Sequence, residues 1–458
     1  MAGLDLVKQD FQSLSENVPR MKLSNMYTVE NPLSLAGYSY IPRPTLQSFT
    51  EIGLGPIRGI WYQSSQGTTI VYVVAGTNLY SLNTVDGTYT TLGPILGTDF
   101  CTFASTIYYI AISANGVLYI WDGTTLTPVD IPDGQRVTDV TSLDNYLIVG
   151  IENSTKFYWV QPGELTIDPL SFTSAERNPD DIVSVMTTGD ELWVLGQSSC
   201  EVFTDTGDAA APFQRISGRA YSTGCVDKHS VVKTLKETLP CLIWVTPTKE
   251  VVLSQGTPSK ISNEAIEEAL KASTTFTAWA FRTNRHDFYV LTTEIATLVY
   301  DITVGSWYRW TTYQKDTWNA VSGIHINDTV YCVTNFDGKV YKLSYENSDA
   351  NLDFLVCEVS GYIPNVSIKP TPCNNITLLL NYGFSKSYTV APIIELRWSD
   401  DGGHTWSSYM QGLTGSRGLY DTNISFRSLG KIARPGRYVE LRFSEVQSFR
   451  LDGATFND

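Results

Sequence analysis

The composition describes a large globular protein that is rich in strand-forming residues. The chain has 458 residues, 42% of them hydrophobic and 17% charged, with 26 Tyr, 18 Phe and 11 Trp. Aromatic side chains fit the pleated, half-buried surface of a sheet, so this composition favours strands over helices. No run of about 18 apolar residues occurs, and the N-terminal stretch with Asp5 and Asp10 lacks the apolar core of a signal peptide. Neither membrane insertion nor a cleaved signal is predicted.

The net charge of −15 is unevenly distributed along the chain. Residues 352–458 hold ten Lys/Arg and ten Asp/Glu, which leaves 22 basic against 37 acidic residues in 1–351. Tight binding of nucleic acid depends on neutralising phosphates with basic side chains. The acidic body therefore argues against a tight nucleic-acid binder, while it permits a wall past which DNA slides.

A recurring hairpin is the clearest pattern in the sequence. Each copy has an apolar strand, a short polar or Gly-containing turn, and a second strand with aromatic or aliphatic residues. Seven copies occur, at residues 70–82, 108–121, 146–160, 192–203, 242–253, 288–301 and 330–343. Three tyrosines of the second strands, Tyr80, Tyr119 and Tyr158, are spaced 39 residues apart.

The repeat predicts a β-propeller. A period of about 42 residues is typical of four-stranded blades, which bury both faces only when they stack around an axis. We predict an all-β fold with six or seven blades, since one copy could be an insertion or a shared closing blade. A meandering β-sandwich with accidental regularity is the alternative.

Two helical patterns and a change of rhythm complete the chain. Asn263 is a capping residue before an acidic first turn, and Ile266, Ala269 and Leu270 fall on one face of the following helix. A weaker helical pattern covers residues 4–14. After residue 352, the segments 394–398 and 439–443 alternate apolar and charged residues, which is typical of strands with one wet face.

These patterns divide the chain into three predicted segments. Residues 1–55 are assigned to an N-terminal arm that leads into the propeller, and residues 56–351 to the propeller itself. Residues 352–458 are assigned to a C-terminal antiparallel β-sandwich.

A turn motif in the C-terminal segment is the most specific local pattern. It matches the Asp-box arrangement Ser-x-Asp-x-Gly-x-Thr-Trp, in which a carboxylate and hydroxyls tie down a hairpin turn and the indole packs against it. The residues are Ser399, Asp401, Gly403, Thr405 and Trp406. This motif recurs in several copies in sialidases, where its role is structural. We therefore predict a structural turn and no chemistry.

No arrangement typical of a catalytic, cofactor or metal site occurs elsewhere. The four histidines, at 229, 286, 325 and 404, do not have metal-ligand spacing, and the seven scattered cysteines form no Cys-x-x-Cys pair. A Gly-rich phosphate loop and a Gly-x-Ser-x-Gly nucleophile are absent from the sequence. We predict a protein that is not an enzyme, without catalytic residues, cofactor or metal.

A cluster of basic residues near the C-terminus has two interpretations. It consists of Arg417, Arg427, Lys431, Arg434, Arg437, Arg442 and Arg450, opposed by Asp421, Glu440 and Glu445. One interpretation is a solvated sheet face. The other is a docking surface for an acidic partner or a neighbouring subunit.

An ordered series of short segments resembles a known family. The series begins at Asn25-Met26-Tyr27-Thr28-Val29-Glu30 and continues with Gly55-Pro56-Ile57-Arg58-Gly59-Ile60. The other members are residues 37–38, 201–203, 206–207, 212–216, 224–225, 260–262, 265–267, 300–301, 307, 398–406 and 429–433. Taken in order, these segments extend over nearly the whole chain after residue 24. In them the sequence resembles the packaged-DNA stabilisation proteins, or tail nozzles, of short-tailed bacteriophages. Residues 40–44 depart from the family, which more often has a Pro-Gly turn there.

The resemblance implies a structural protein located in the virion tail. It implies a homo-oligomeric ring, expected to hold six copies, below the portal and its adaptor protein. Such a ring continues the DNA channel, retains packaged DNA, carries tailspikes or tail fibres, and is closed by a plug or needle protein. Double-stranded DNA is expected to pass through without specific binding.

Two other functions remain as alternatives. A glycan-binding or sialidase-like propeller predicts Arg, Tyr and carboxylate side chains clustered at one mouth of the propeller. A cellular scaffold propeller predicts repeated Trp-Asp dipeptides at blade ends, of which Trp121-Asp122 is a single instance.

Overall fold

The computed structural model describes residues 2–10, 21–53, 55–65, 68–345, 354–381, 393–413, 421–444 and 449–457. In these residues the regular structure is almost entirely β, as seven four-stranded antiparallel units and two larger sheet layers. The predicted all-β propeller with a sandwich is confirmed, and the number of blades is seven.

Each blade is a meander of four antiparallel strands numbered from the inside outwards. The first strands are Ile57–Ser65, Thr102–Ser105, Val137–Leu143, Ile182–Thr188, Val232–Lys236, Thr277–Thr283 and Ser322–Ile326. The second strands are Thr68–Ala75, Ile110–Ala114, Tyr146–Ile151, Glu191–Gly196, Leu239–Val245, His286–Thr292 and Thr329–Val333. The third strands are Asn78–Leu82, Val117–Trp121, Lys156–Val160, Cys200–Asp205, Val251–Ser254, Thr297–Asp301 and Lys339–Ser344. The fourth strands are Tyr89–Pro94, Leu126–Val129, Phe172–Ser174, Phe213–Tyr221, Pro258–Lys260, Ser306–Trp310 and, for blade 7, Thr45–Glu51.

The seven blades form a closed ring. The first strand of each blade contacts the first strands of its neighbours, and Ile57–Ser65 contacts both Thr102–Ser105 and Ser322–Ile326. Apolar clusters fill the spaces between successive blades. The stacking buries surface that a single blade would leave in water, which is the dominant favourable term in folding.

The second and third strands carry the predicted hairpins. Their side chains are buried on both faces, as in the fully buried strand Ile110–Ala114. The following turn has positive φ at Asn115 (51°) and Gly116 (76°), which is the backbone of a type I′ hairpin turn. The equally spaced Tyr80, Tyr119 and Tyr158 occupy the third strands of blades 1, 2 and 3.

The last blade takes its outermost strand from the N-terminal part of the chain. Thr45–Glu51 pairs antiparallel with Lys339–Ser344, so one blade holds both an early and a late segment. Leu46 is fully buried in the core that this blade shares with blade 6 and the sandwich. This pairing joins the two ends of the propeller and closes the ring.

Two sheets form the sandwich, and both include N-terminal strands. The first sheet has the order Asp421–Arg427, Asn375–Asn381, Arg450–Phe456, Tyr38–Pro42 and Met26–Glu30, with Ala2–Gly3 beside Arg450–Phe456. The second sheet continues outwards from blade 6 through Leu23–Ser24, Val356–Pro364, Gly436–Ser444, Ile393–Ser399 and Met410–Leu413, with Asp5–Leu6 beside Val356–Pro364. A two-residue pair, Thr371–Pro372 with Lys431–Ile432, lies at one end.

The strand pairing connects the three predicted segments more closely than their boundaries suggest. Residues 1–55 supply strands to the sandwich and to blade 7, instead of forming an arm that only leads into the propeller. The boundaries at 55/56 and 351/352 stay a prediction about independent folding units. The physical reason for the sharing is that a sheet edge left unpaired exposes backbone donors and acceptors.

One helical prediction is confirmed and the other is wrong where it can be compared. The helix Glu264–Lys271 begins after Asn263, whose side chain accepts from the N–H of Ile266 at 3.1 Å. Asp5–Leu6 is a strand instead of a helix, because pairing with Val356–Pro364 satisfies its backbone. Residues 11–14 of the weaker pattern lie outside the described residues. Two short 3-10 turns, Pro132–Gly134 and Lys228–Ser230, complete the helical structure in the described ranges.

A buried polar junction holds the propeller and the sandwich together. The Arg43 guanidinium donates to Asn25 Oδ1 (2.9 Å) and to the carbonyl oxygens of Pro44 (2.8 Å) and Thr311 (2.8 Å). The Asn25 side chain in turn donates to the carbonyl of Val356 (2.7 Å) in the sandwich. The guanidinium also lies 5.1 Å from the centroid of the Trp318 ring. Four segments distant in sequence therefore meet at one pair of side chains.

Replacement of Arg43 is expected to destabilise the whole chain. Arg43→Ala leaves three buried acceptors without their donor, at about 1–3 kcal/mol each, so a loss of roughly 3 kcal/mol or more is expected. The free energy of unfolding in denaturant measures this loss. Arg285→Ala, at an exposed arginine in the turn of blade 6, is the control and should change it by less than about 0.5 kcal/mol. Equal effects of the two substitutions would contradict the role of the junction.

Candidate functional site

The predicted turn at residues 399–406 is held by its own side chains. Ser399 Oγ donates to Asp401 Oδ1 (2.7 Å) and accepts from the N–H of Gly403 (2.8 Å). The Asp401 carboxylate accepts from both the N–H (2.9 Å) and the hydroxyl of Thr405. The Trp406 Nε1–H donates to the carbonyl of Gly403 at 3.1 Å. All five residues therefore meet in one turn, and its purely structural role stays a prediction.

The electrostatics of this turn follow from those hydrogen bonds. The Thr405 hydroxyl and N–H, together with the Ser399 hydroxyl, hold the pKa of Asp401 well below its usual range. Trp406 is half-buried, and the Arg397 guanidinium lies 4.7 Å from the centroid of its ring. Arg397 also pairs with the buried Glu440 at 2.6 Å. Arg397 therefore fixes the turn to the sheet beneath it. This arginine lies outside the motif, so the motif alone does not predict its role.

A second arginine ties this turn to the neighbouring loop. Arg437 is buried and donates to both carboxylate oxygens of Asp400, at 2.7 Å each. The same guanidinium donates to the carbonyls of Leu429 and Lys431, and it lies 5.1 Å from the Trp398 ring centroid. Bidentate pairs of this kind fix orientation as well as adding energy.

The structure divides the basic cluster into paired and unpaired members. Three of its arginines form ion pairs inside the sandwich: Arg437 with Asp400, Arg442 with Glu395 and Arg450 with Asp452. Arg427, Lys431 and Arg434 are exposed, and none of them has an ion pair within the described ranges. Arg417 lies outside the described residues. A solvated sheet face accounts for the paired group, while the exposed group lies on loops at the end of the sandwich.

The axis of the propeller is crossed by side chains at one mouth. Lys228, which precedes blade 5, donates from Nζ to the carbonyl of Thr138 in blade 3. Phe100, which precedes blade 2, has its ring centroid 6.0 Å from that of His229. Burial lowers the pKa of His229 and so favours its neutral form. Because neither pair joins neighbouring blades, these contacts cross the interior of the ring at this mouth.

The charged groups near that mouth are already engaged. Arg58 pairs with Asp99 at 3.1 Å, and the buried Asp139 accepts from the Ser184 hydroxyl at 2.6 Å. The glycan-active alternative requires such groups to converge on an open pocket. In the described part of the chain, they instead join one blade or connection to the next.

A groove between blades 4 and 5 has a cavity volume of about 460 Å³. Its lining is mainly hydroxyl, proline and backbone groups, and Glu250 is the one carboxylate among the described residues that line it. Lys260 pairs with Glu250 at 3.2 Å. Glycoside hydrolysis requires two carboxyl groups that flank the bond, so this groove does not favour it. Among the described residues, no group of three His, Cys, Asp or Glu side chains could hold a metal ion.

All seven cysteines are buried, and none of them forms a disulfide. Burial raises the pKa of the Cys225 thiol to about 12, so the reactive thiolate is scarce at neutral pH. None of the helices found in the described ranges has the length and apolar character needed to cross a membrane.

The Asp401 hydrogen bonds predict a pH-dependent contribution to stability. Because the folded pKa is lowered, the contribution is present above the ordinary aspartate pKa of about 3.9 and is lost as the pH falls below it. Asp401→Asn should lower the thermal midpoint at pH 7, and the difference from the parent chain should shrink towards pH 3. Glu176→Gln, at an exposed carboxylate, is the control. A difference that does not change with pH would contradict this role.

Trp406 is expected to contribute less than a core residue. Because the ring is only half-buried, Trp406→Ala should cost about 1–3 kcal/mol, whereas truncating a core aromatic costs about 3–5 kcal/mol. Trp310→Ala, which truncates a fully buried ring, provides the comparison in denaturant unfolding. An equal or larger loss at Trp406 would show that the ring is part of the core.

Two of the solved structures that match this chain are distant in sequence. BBS1N, solved in complex with ARL6DN, is 13% identical over 68% of this chain and 100% of that chain, with a TM-score of 0.44. The computationally designed Ika8 protein is 16% identical over 71% of this chain and 99% of that chain, with a TM-score of 0.40. No curated protein matches the sequence.

A family model gives the assignment. The model described as bacteriophage P22 Gp10, beta-propeller, matches residues 15–348, which is more than two thirds of the chain and includes all seven blades. The matched residues also include the strand Thr45–Glu51 that closes the ring. The chain therefore belongs to the P22 Gp10 β-propeller family of phage proteins that stabilise packaged DNA, and it is a structural protein of the virion tail.

Proposed function

We propose that copies of this chain form the ring-shaped nozzle of the tail, which continues the DNA channel below the portal and its adaptor protein. The family match carries this proposal. The fold supports it, because the propeller and the sandwich share a continuous sheet at blade 6. A unit joined by strand pairing resists bending, which suits the wall of a conduit under load.

In this proposal, DNA passes between subunits and not through the axis of a propeller. The contacts of Lys228 with Thr138 and of Phe100 with His229 place side chains across that axis at one mouth. The channel must therefore be the space that several copies enclose. A ring of six copies is the expected arrangement, with tailspikes or fibres on its flank and a plug or needle protein at its exit.

The proposal also assigns the protein no catalytic role. The polar groups at the mouth of the propeller are engaged with one another, and the groove between blades 4 and 5 offers a single carboxylate. These observations do not favour the glycan-active alternative. Variants that fail to form the nozzle should retain packaged DNA poorly. No hydrolytic activity should be lost with them.

Electron microscopy of particles assembled with this chain tests the ring. A ring with a central channel, attached below the portal and adaptor, is the expected result. Sedimentation of the chain mixed with its adaptor should show the same stoichiometry, because the free chain is expected to oligomerise only on that template. A single copy per particle would refute the nozzle.

The negative charge of the propeller predicts weak binding of DNA. Residues 1–351 carry all fifteen excess negative charges, so few phosphates can be neutralised. Fluorescence anisotropy of labelled double-stranded DNA should show no appreciable binding at physiological salt. A basic DNA-binding protein serves as the positive control. Tight, salt-dependent binding would contradict passage without adhesion.

A further inference from the structure

Two loops at one end of the sandwich form a continuous surface, here called the tip. They are residues 364–375 and 427–436, which lie together at the Pro364 end of the strand Val356–Pro364. The Asn365 side chain donates to the carbonyl of Ile432 at 2.8 Å. The N–H of Cys373 donates to the carbonyl of Gly430, also at 2.8 Å. Together with the pairing of Thr371 with Ile432, these bonds hold the loops side by side.

The tip is both apolar and basic. Val366 and Ile368 are each 91% exposed. Exposure of aliphatic side chains of this size to water is energetically unfavourable. The two loops contain four basic residues and no Asp or Glu: the basic residues are Lys369, Arg427, Lys431 and Arg434. All four are exposed, and none forms an ion pair in the part of the chain that the structure describes.

The propeller has a surface of the opposite charge, here called the acidic face. It consists of the turns 144–145, 161–171, 189–190 and 205–212 of blades 3 and 4. These turns contain no Lys or Arg, and their acids are Asp144, Glu164, Asp168, Asp190, Asp205 and Asp208. The Gln161 side chain donates to the carbonyl of Ala209 at 2.8 Å, which joins the two long turns.

The acidic face also exposes apolar side chains, and its charges repel one another. Leu170 is 83% exposed and Leu165 is 42% exposed. Burial, followed by the neighbouring Asp205 and Asp190, raises the pKa of Asp144. Like charges held close together destabilise the free surface, and a basic partner would relieve that repulsion.

We propose that the tip of one copy docks on the acidic face of a second copy. The exposed aliphatic side chains form the centre of this contact, and the four cations meet the six carboxylates around it. Such an arrangement has the apolar core and polar rim of protein interfaces, with charge setting the register. The inference rests on the proposed ring and adds which surfaces form it.

The geometry makes this contact intermolecular. The sandwich is attached to blade 6 and shares a core with blades 6 and 7, whereas blades 3 and 4 lie across the ring. We therefore assign the acidic face that the tip contacts to a neighbouring copy. A contact between different surfaces of identical subunits is head-to-tail, and it generates a closed ring when the rotation between neighbours closes.

Charge reversal on each surface tests the proposal. The tip variant is Lys431→Glu with Arg434→Glu, and the face variant is Glu164→Lys with Asp190→Lys. Each should reduce the copies incorporated per purified particle by at least about tenfold, since like charges across an interface cost several kcal/mol. A chain carrying all four substitutions should regain incorporation to within about twofold of the parent chain.

Mixing the two variants provides a second, independent measurement. Neither variant alone should assemble on the adaptor in sedimentation velocity, whereas an equimolar mixture should. In the mixture, each reversed tip finds a reversed face, and each unchanged tip finds an unchanged face. This result requires a contact between copies, because a contact with any other protein would not respond to mixing.

Matched controls keep the charge change and move it elsewhere. Lys271→Glu with Arg285→Glu controls for the tip variant, and Glu268→Lys with Glu176→Lys controls for the face variant. All four residues are exposed and lie outside the tip and the acidic face. The controls should assemble like the parent chain, and thermal unfolding should show that every variant is folded.

The outcomes separate this inference from the proposed ring. If the ring forms despite both charge reversals, the contact is overturned and the ring is retained. The same conclusion holds if neither the chain with all four substitutions nor the mixture restores assembly. A face variant that assembles normally but releases DNA slowly also overturns it, and assigns the acidic face to the channel wall. A parent chain that forms no ring in particles refutes the nozzle itself.

Discussion

Closure of the propeller by Thr45–Glu51 is the constraint on which the remaining architecture depends. A seven-bladed ring needs its last blade completed, and here the completing strand comes from residues that precede the first blade. Arg43 lies two residues before that strand. With the strand in place, the Arg43 guanidinium is buried, where it donates to Asn25 and to the carbonyl of Thr311. The N-terminal strands must then run beside blade 6, and the sandwich assembles on them. Propeller and sandwich are therefore one strand-paired structure, joined by backbone hydrogen bonds.

This architecture can transmit force between the propeller and the sandwich. The ladder from blade 6 continues through Leu23–Ser24 into Val356–Pro364, so a force applied to the sandwich reaches the propeller through hydrogen bonds. The neighbouring core is unusually aromatic, with Trp310 against Trp318 at 5.1 Å and against Phe288 at 5.3 Å. Large rings packed in this way bury much surface with few rotatable bonds. Packed aromatic rings and backbone hydrogen bonds therefore both hold the joint between the two parts of the chain.

The sequence predicts the middle of each blade well and its edges poorly. Second and third strands are buried on both faces, so their apolar runs are continuous, as in Ile110–Ala114. Fourth strands lie at the outside and are short or polar, as Leu126–Val129 shows, and they carry no comparable pattern. The closing strand Thr45–Glu51 is recognisable only from the fact that blade 7 lacks a fourth strand, which requires the fold to be known. The turn at Ser399–Trp406 could be read from local spacing, whereas Arg437 and Asp400 depend on contacts between distant residues.

The charge of the sandwich illustrates why residue counts and surfaces differ. Residues 352–458 are neutral overall, yet several of their acids form ion pairs within the sheets, as in Arg397 with Glu440 and Arg442 with Glu395. Lys22, which directly precedes the strand Leu23–Ser24, forms an ion pair with another of these acids, Glu358. Among the described residues, the cations at the tip form no ion pair, so a segment that is neutral overall has one positive end. The propeller has the opposite imbalance, with 37 acids against 22 bases in residues 1–351. A chain built in this way repels copies of itself when like ends meet and attracts them when tip meets propeller, so its electrostatics favour a directed, head-to-tail assembly over random aggregation.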